Sequence, residues 1–158
     1  LGSGFNIHTV PARHFSGRGF KRNQAIWLAF VLNTPQKRIY VGGDSGYDTF
    51  FRQTGDAFGP FDLAILECGQ YNKNWKYIHM MPEQTVQAAL DLNAKVLLPV
   101  HWAKFPLALH DWDEPIIRAV AAAEKTGQPI VYPMIGEVLD LDMLDSKVKW
   151  WEKVDNSW

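Results

Sequence analysis

The chain has 158 residues, with 16 Lys and Arg against 17 Asp and Glu, which gives a formal net charge of −1. Domains commonly contain about 100–200 residues, so this length indicates a single domain with enough chain to bury a hydrophobic core. The near-neutral charge argues against a broad basic surface for nucleic acid. No apolar run reaches the roughly 20 residues that a membrane-spanning helix needs.

The N-terminus lacks both a Met and the charged-then-apolar profile of a signal peptide. The single cysteine, Cys68, cannot form an internal disulfide, so nothing in the sequence requires an oxidising compartment. We therefore expect a cytoplasmic protein whose natural gene product extends upstream of residue 1.

The first third of the chain predicts three strands and a helix. Residues 6–10 alternate between apolar and polar side chains, as a short strand does. Residues 25–32 form a continuous apolar run that predicts a buried strand, and a turn at 33–36 joins this run to a strand at 38–42 as a hairpin. Helical spacing at 48–58 predicts the first helix.

The rest of the chain alternates between strand and helix. Strands are predicted at 61–66 and 95–100, helices at 82–92 and 115–125, weaker strands at 128–132 and 137–141, and a closing helix at 143–154. This alternation is typical of parallel strands joined by right-handed crossovers, so we predict an α/β fold.

Polar side chains follow the predicted strands, at the sheet edge where α/β proteins collect ligands. His14 follows the first strand, Asp44 the strand at 38–42, and His101 the strand at 95–100. One carboxylate and two imidazoles are ligands that zinc or iron accepts, so the pattern predicts a metal site. The alternative for Asp44 is a capping residue of the helix that follows. Cys68 and its neighbour Glu67 are interpreted as packing or capping residues.

Two further interpretations remain open from the residues alone. Ser45 could be a nucleophile with His101 as its base, although the G-x-S-x-G elbow and a third orienting group are missing. The aromatic residues Trp102 and Phe105 flank His101, and they either pack in the interior or line an apolar substrate groove. His110, beside Asp111 and Trp112, either packs in the interior or supports a neighbouring site residue.

Five ordered motifs carry a resemblance to a known family. They are Pro11-Ala12-Arg13-His14, Gly43-Asp44-Ser45-Gly46-Tyr47, the run from Phe58 to Ala64, His79-Met80-Met81-Pro82-Glu83, and Pro99-Val100-His101-Trp102. Together they resemble the metallo-β-lactamase superfamily, in the branch of the N-acyl-phosphatidylethanolamine-hydrolysing phospholipases D. The resemblance runs from about residue 10 to 141 and covers the second half of that fold.

The resemblance implies an αββα sandwich with a mixed sheet flanked by helices and two metal ions, usually zinc. His14 resembles a ligand of the first metal, Asp44 the bridging aspartate, and His101 a ligand of the second. His79 resembles a catalytic histidine near the scissile phosphate, as a proton donor or oxygen stabiliser. The His-x-His-x-Asp-His motif of the first half is absent from residues 1–158. We therefore expect one domain that is the C-terminal portion of the fold and holds at most one zinc or other divalent ion.

The function implied is that of a metal-dependent hydrolase of phosphodiesters, including phospholipid at a membrane surface, acting through a metal-activated water. On this reading Trp102, Phe105 and His110 contact the substrate, and the isolated chain is weak or inactive. A phosphorylated-sugar lactonase of the same superfamily is one alternative. The other is a non-catalytic module that pairs with the missing N-terminal half or with a second copy of itself.

Overall fold

The computed structural model describes residues 4–16, 20–21, 24–105, 107–144 and 147–154. Five strands form one mixed sheet in the order of the sequence: β1 (Asn6–Pro11), β2 (Leu28–Asn33), β3 (Arg38–Val41), β4 (Leu63–Glu67) and β5 (Leu97–Val100). Strands β1, β2 and β3 pair antiparallel, whereas β3, β4 and β5 pair parallel. The predicted hairpin and the predicted parallel strands are both confirmed.

Three helices complete the α/β fold: α1 (Phe50–Phe58), α2 (Pro82–Asp91) and α3 (Glu114–Thr126). Helix α2 lies between the other two and packs on β4 and β5. Proline at the start of α2 and at the second position of α3 costs little, because the first helical N–H groups have no intrahelical acceptor. Gly127, with a φ of 74°, ends α3 in the left-handed conformation that glycine adopts without strain. Within the described residues no helix is long and apolar enough to cross a membrane.

The helical layer covers one face of the sheet and forms the core there. A row of directly paired residues, Val31, Tyr40, Ala64 and Leu97, runs across four strands and is almost completely buried. It packs with apolar residues of the helices, including Phe51, Val86, Ala89 and Ile116. Because side chains alternate along a strand, the neighbouring row faces the opposite side.

That opposite face is apolar but incompletely covered. Its central row pairs Phe30 with Val41, Val41 with Ile65, and Ile65 with Leu98. Phe30 is 41% exposed and the other three are partly buried. The sheet therefore has one face that is covered by helices and one face that retains exposed apolar surface.

The predicted strand at 25–32 is placed too early, since β2 begins at Leu28 and Ile26 is 79% exposed. Only alternate residues of β2 are buried, so its continuous apolar pattern reflects apolar side chains on both faces of the sheet.

The predicted elements after α3 are wrong. Residues 128–132 contribute one isolated bridge, between Ile130 and Leu97, because Pro129 and Pro133 have no N–H groups to extend a ladder. Residues 137–141 form no strand and follow a turn at Gly136. Instead of a closing helix over 143–154, there is a short 3-10 turn at Trp150–Lys153, and residues 145–146 lie outside the described part. The indole rings of Trp150 and Trp151 in this turn pack on Trp102. This tertiary packing takes precedence over the local preference for a regular helix.

Candidate active site

The carboxyl ends of the strands surround a cleft of about 550 Å³. The four residues that the sequence indicated as metal ligands or catalytic group, His14, Asp44, His79 and His101, all line it. The remaining lining residues are Phe15, Gln70, Trp75, Ile78 and Leu107. The fold therefore gathers residues from four loops into one partly polar, partly apolar hollow.

One ring nitrogen of His14 has no hydrogen-bond partner. Its Nδ1 lies 2.9 Å from the carbonyl oxygen of Phe15 and donates to it, because a carbonyl oxygen can only accept. In the neutral ring this leaves a lone pair on Nε2, an atom that is buried and has no hydrogen-bond partner. A buried nitrogen without a partner is costly, and coordination of a metal ion is one way to satisfy it.

Asp44 and His101 meet across the cleft. The distance from Asp44 Oδ1 to His101 Nε2 is 3.7 Å, which is longer than a direct hydrogen bond. Burial lowers the pKa of His101, and the negative charge of Asp44 partly opposes this effect. His101 also adopts a left-handed backbone with a φ of 67°, a strained conformation of the kind that clusters at functional sites.

The three imidazole rings of the cleft lie side by side. The ring centroid of His79 is 5.2 Å from that of His14 and 5.5 Å from that of His101. In the part of the chain described here, however, no group of three or more His, Cys, Asp or Glu side chains is arranged to hold a metal ion. The cleft thus collects suitable donors, and their donor chemistry fits a divalent metal, but they do not form a closed coordination shell.

The buried carboxylate of Glu67 contacts His79. Glu67 is fully buried; its Oε1 accepts the N–H of Met80 at 2.5 Å, and its Oε2 lies 3.3 Å from His79 Nδ1. The hydroxyl of Thr85 donates to the Glu67 carbonyl oxygen at 2.8 Å. Interpretation of the sequence gave Glu67 a packing or capping role and missed this pair. The available signal was a charged residue at the end of an apolar strand, which needs a partner if it is buried.

Burial favours the net-neutral form of this pair. It raises the pKa of Glu67 well above its ordinary value and lowers the pKa of His79. A neutral pair contains either a protonated Glu67 that donates to Nδ1, or an ionised Glu67 beside a doubly protonated ring. In both cases His79 Nε2, the ring nitrogen that Glu67 does not engage, carries a proton. In these two forms His79 Nε2 is a hydrogen-bond or proton donor toward the cleft.

Other interpretations of this region do not fit the geometry. Ser45 is 1% exposed; its Oγ accepts the N–H of Arg13 at 2.9 Å and donates to the Gly46 carbonyl at 3.0 Å. Among the described residues its hydroxyl is hydrogen-bonded to these two backbone groups and not to His101, so the geometry does not support Ser45 as a nucleophile with His101 as its base. Asp44 does not cap α1, whose N-cap residue is Thr49. Cys68 is fully buried, and burial raises the pKa of its thiol, so it is no thiolate nucleophile.

The three residues expected to contact the substrate lie outside the lining of this cleft. Trp102 stacks on Trp150 at 5.2 Å between ring centroids and donates to the Pro99 carbonyl. Phe105 is 65% exposed, and His110 accepts the backbone N–H of Gln70 at 2.9 Å while it stacks on Tyr71. Trp102 and His110 thus hold loops in place, whereas Phe105 faces solvent.

Gln70 is the main residue that inspection of the sequence overlooked. Its Oε1 accepts the N–H groups of Leu107 at 2.6 Å and Ala108 at 3.1 Å, and its Nε2 donates to the Phe105 carbonyl. These bonds hold the loop after His101 beside the cleft. A glutamine in a loop gives no sequence signal for such a role, because its partners are backbone atoms 35 to 38 positions away.

Comparison with known proteins decides the family. The model of the Beta-lactamase superfamily domain matches residues 1–102, more than half of the chain. The chain belongs to the metallo-β-lactamase superfamily. Within this superfamily it is similar to the outer membrane protein RomA of Klebsiella pneumoniae, with 61% identity over 95 residues, which are 60% of this chain and 72% of RomA.

Two other superfamily relatives cover more of the chain. An uncharacterised protein of Mycobacterium tuberculosis is 44% identical over 145 residues, which are 90% of this chain and 39% of that protein. The mitochondrial N-acyl-phosphatidylethanolamine-hydrolyzing phospholipase D of Saccharomyces cerevisiae is 35% identical over 130 residues, 78% of this chain and 28% of that enzyme. The chain therefore spans well under half the length of these two relatives.

A solved structure supports the superfamily fold. The novel metallo hydrolase Igni18 of the archaeon Ignicoccus hospitalis superposes with a TM-score of 0.66 at 22% identity. The superposition covers 85% of this chain and 52% of Igni18. At this identity the likeness concerns the fold, and it matches the chain to about half of that structure.

Proposed function

We propose that this chain is the C-terminal portion of a metal-dependent hydrolase that cleaves phosphodiesters, with phospholipids as the substrate class. His14, Asp44 and His101 would hold a divalent metal ion, with zinc the first choice for two imidazoles and a carboxylate. The observation that carries this proposal is the buried Nε2 of His14, which has no hydrogen-bond partner and lies in the same cleft as Asp44 and His101.

A bound metal ion would polarise a phosphoryl oxygen and lower the pKa of a water ligand toward about 7. The residues of the chain have separate tasks around that ion. His79 would donate the proton on Nε2 to a phosphate oxygen or to the leaving group, and Glu67 would hold the ring in the required orientation. Trp75, Ile78 and Leu107 would exclude bulk water from the reacting group.

The phospholipid class is supported by the yeast relative, whose name states hydrolysis of N-acyl-phosphatidylethanolamine, and by the apolar part of the cleft lining. Three metal ligands on one chain are too few for the two-metal site of the complete fold. We therefore expect at most one zinc ion in the isolated chain and weak or no turnover.

A second candidate function is assembly through the incompletely covered sheet face. The row of Phe30, Val41, Ile65 and Leu98 leaves apolar surface exposed, and a sheet stacked on it would bury that surface. We propose that its partner is the N-terminal half of the same fold, since the chain matches about half of Igni18. A self-associating chain is the competing outcome.

Turnover and metal content test these proposals together. The chain is purified alone and after co-expression with the N-terminal part of one of its longer relatives, and zinc is measured in both samples. We expect at most one zinc ion alone, about two in the complex, and release of a phosphatidic acid-like product only from the complex. Opening of a phosphorylated-sugar lactone without phosphodiester cleavage would overturn the substrate class. Turnover by the isolated chain equal to that of a full-length relative would overturn the half-site.

A further inference from the structure

Two loops beside the cleft expose large apolar side chains. The first contains the 3-10 turn Lys73–Trp75 and continues to Tyr77; the second runs from Lys104 to Leu109, in which residue 106 is not described. We call them together the rim patch. Its exposed apolar side chains and their exposed fractions are Trp75 (38%), Tyr77 (54%), Phe105 (65%), Leu107 (75%) and Leu109 (98%).

The two loops lie next to each other at the mouth of the cleft. Trp75 from the first loop and Leu107 from the second both line the histidine cleft. Lys73 and Leu109 line an adjacent hollow of about 410 Å³. The rim patch therefore lies beside the cleft, and two of its apolar side chains, Trp75 and Leu107, form part of the cleft wall next to His79.

The charge of the rim patch has one sign. Lys73, Lys76 and Lys104 are exposed, and the sequence contains no Asp or Glu from 69 to 78 or from 102 to 110. The ammonium groups of Lys76 and Lys104 lie 4.8 Å and 5.4 Å from the ring centroids of Tyr77 and Phe105. The nearest carboxylate in the adjacent hollow, that of Glu114, is paired with Arg118 at 3.0 Å.

We propose that the rim patch docks this chain onto an anionic lipid bilayer, with the mouth of the cleft facing the head groups. Aromatic and leucine side chains flanked by lysines fit the interface of such a membrane, where apolar atoms enter the acyl boundary and ammonium groups meet lipid phosphates. The hydrogen bonds that Gln70 accepts from the N–H groups of Leu107 and Ala108 hold the second loop in place before docking. This order reduces the conformational entropy that the loop loses on binding.

This inference deepens the proposed function and rests on it for its purpose, but docking is measured without turnover. A chain that docks yet fails to bind zinc through His14 would overturn the function alone. A chain that binds zinc through His14 yet fails to dock would overturn the rim patch alone.

The experiment is co-sedimentation with vesicles of phosphatidylcholine, with and without phosphatidylglycerol, at low and high salt. We expect binding to the anionic vesicles, weakened by salt because lysine attraction is screened. The double variant Leu107→Ser/Leu109→Ser and the triple variant Lys73→Gln/Lys76→Gln/Lys104→Gln should each weaken partitioning roughly tenfold or more. Circular dichroism verifies that each variant is folded.

Two matched controls replace exposed apolar residues elsewhere. Ile135→Ser/Val138→Ser removes side chains that are 69% and 89% exposed outside the rim patch, and Phe30→Ser alters the incompletely covered sheet face. Both should retain vesicle binding. Equal binding by the Leu107/Leu109 variant, or loss of binding in Phe30→Ser instead, would overturn the proposal. So would a dimer in sedimentation equilibrium that the Leu107/Leu109 variant abolishes, since a second copy would then occupy the patch.

Discussion

The side chains of Glu67 and His79 form a buried pair, with 3.3 Å between Glu67 Oε2 and His79 Nδ1. Glu67 comes from the end of β4, and His79 lies in the loop before α2. The pair links the sheet to the cleft, and its net-neutral form leaves a proton on the ring nitrogen that Glu67 does not engage.

Substitution of Glu67 tests this pair. Glu67→Gln preserves both contacts, because the amide oxygen accepts from Met80 and the amide N–H donates to His79 Nδ1. Glu67→Leu leaves the Met80 N–H without an acceptor and should cost about 1–3 kcal/mol of unfolding free energy. Nitrogen-15 NMR should show the proton on Nε2 of His79 in both wild type and Glu67→Gln. A proton on Nδ1 with a bare Nε2 in the wild type would contradict the arrangement.

Glu67→Gln also tests how the stability of the fold depends on pH. The folded-state pKa of Glu67 is raised above its ordinary 4.5, so the folded chain binds more protons than the unfolded chain between 4.5 and the raised value. The stability contribution of Glu67 is thus full below 4.5 and is lost as pH rises through the folded pKa. Glu67→Gln, which does not titrate, should gain stability relative to wild type as pH rises, measured by urea unfolding. A constant difference across this range would show that Glu67 is not perturbed.

Gly69 is required by a close approach to the His101 loop. A Cβ atom at this position would lie 2.1 Å from the His101 carbonyl oxygen. Gly69→Ala should therefore push the loop outward, cost about 1–3 kcal/mol of unfolding free energy and weaken zinc binding. Ala103→Gly in the same loop is the matched control, because Ala103 has a φ of 72° and glycine relieves that strain. Equal losses of unfolding free energy and of zinc binding in Gly69→Ala and Ala103→Gly would contradict this explanation of the loop.

Arg118 of α3 joins this helix to α2 through the carboxylate of Glu83, and it also pairs with Glu114 of its own helix. It donates to Glu83 at 2.7 and 2.9 Å and to Glu114 at 3.0 Å. Since these groups are partly exposed, Arg118→Met should cost only about 0.5–1 kcal/mol at neutral pH. The pKa values of both glutamates are lowered, first by hydrogen bonds from Arg118 for Glu83 and from Tyr71 for Glu114. The loss of unfolding free energy in Arg118→Met should be full above pH 4.5 and should shrink as the pH falls through the folded-state pKa values of the two glutamates. Lys125→Gln in α3 is the control.

Ser45 provides a test against serine chemistry. Because its hydroxyl is buried and bonded to Arg13 and Gly46, a fluorophosphonate probe should leave Ser45 unlabelled in mass spectrometry. Ser45→Ala should keep zinc binding while it loses about 1–3 kcal/mol of stability from the unpaired Arg13 N–H. A covalent adduct on Ser45 would reopen the serine mechanism.

The sequence predicted the elements whose patterns are local. The β2–β3 hairpin and the alternation from β3 to α3 were readable because strand and helix periods, prolines and turn residues mark them. The elements after α3 were mispredicted because Trp150 and Trp151 pack on Trp102, a tertiary contact across about fifty positions that no local pattern encodes.

The candidate site divides in the same way. His14, Asp44 and His101 were accessible from their places at the ends of strands. Glu67 and Gln70 were not, because Glu67 acts through burial and Gln70 through backbone partners in a distant loop. The substrate contacts expected of Trp102 and His110 stay a prediction, since both residues lie outside the cleft lining and their side chains contact Trp150 and Gln70.

The most direct test of the central claim is zinc binding to the isolated chain, measured by equilibrium dialysis. We predict at most one zinc ion per chain, with binding lost in His14→Ala, Asp44→Asn and His101→Ala. His8→Ala and His110→Ala, whose rings pack against Phe58 and Tyr71 outside the cleft lining, should bind zinc as the wild type does. Zinc binding that survives all three cleft substitutions, or that His8→Ala or His110→Ala abolishes, would contradict the assignment of the metal to this cleft.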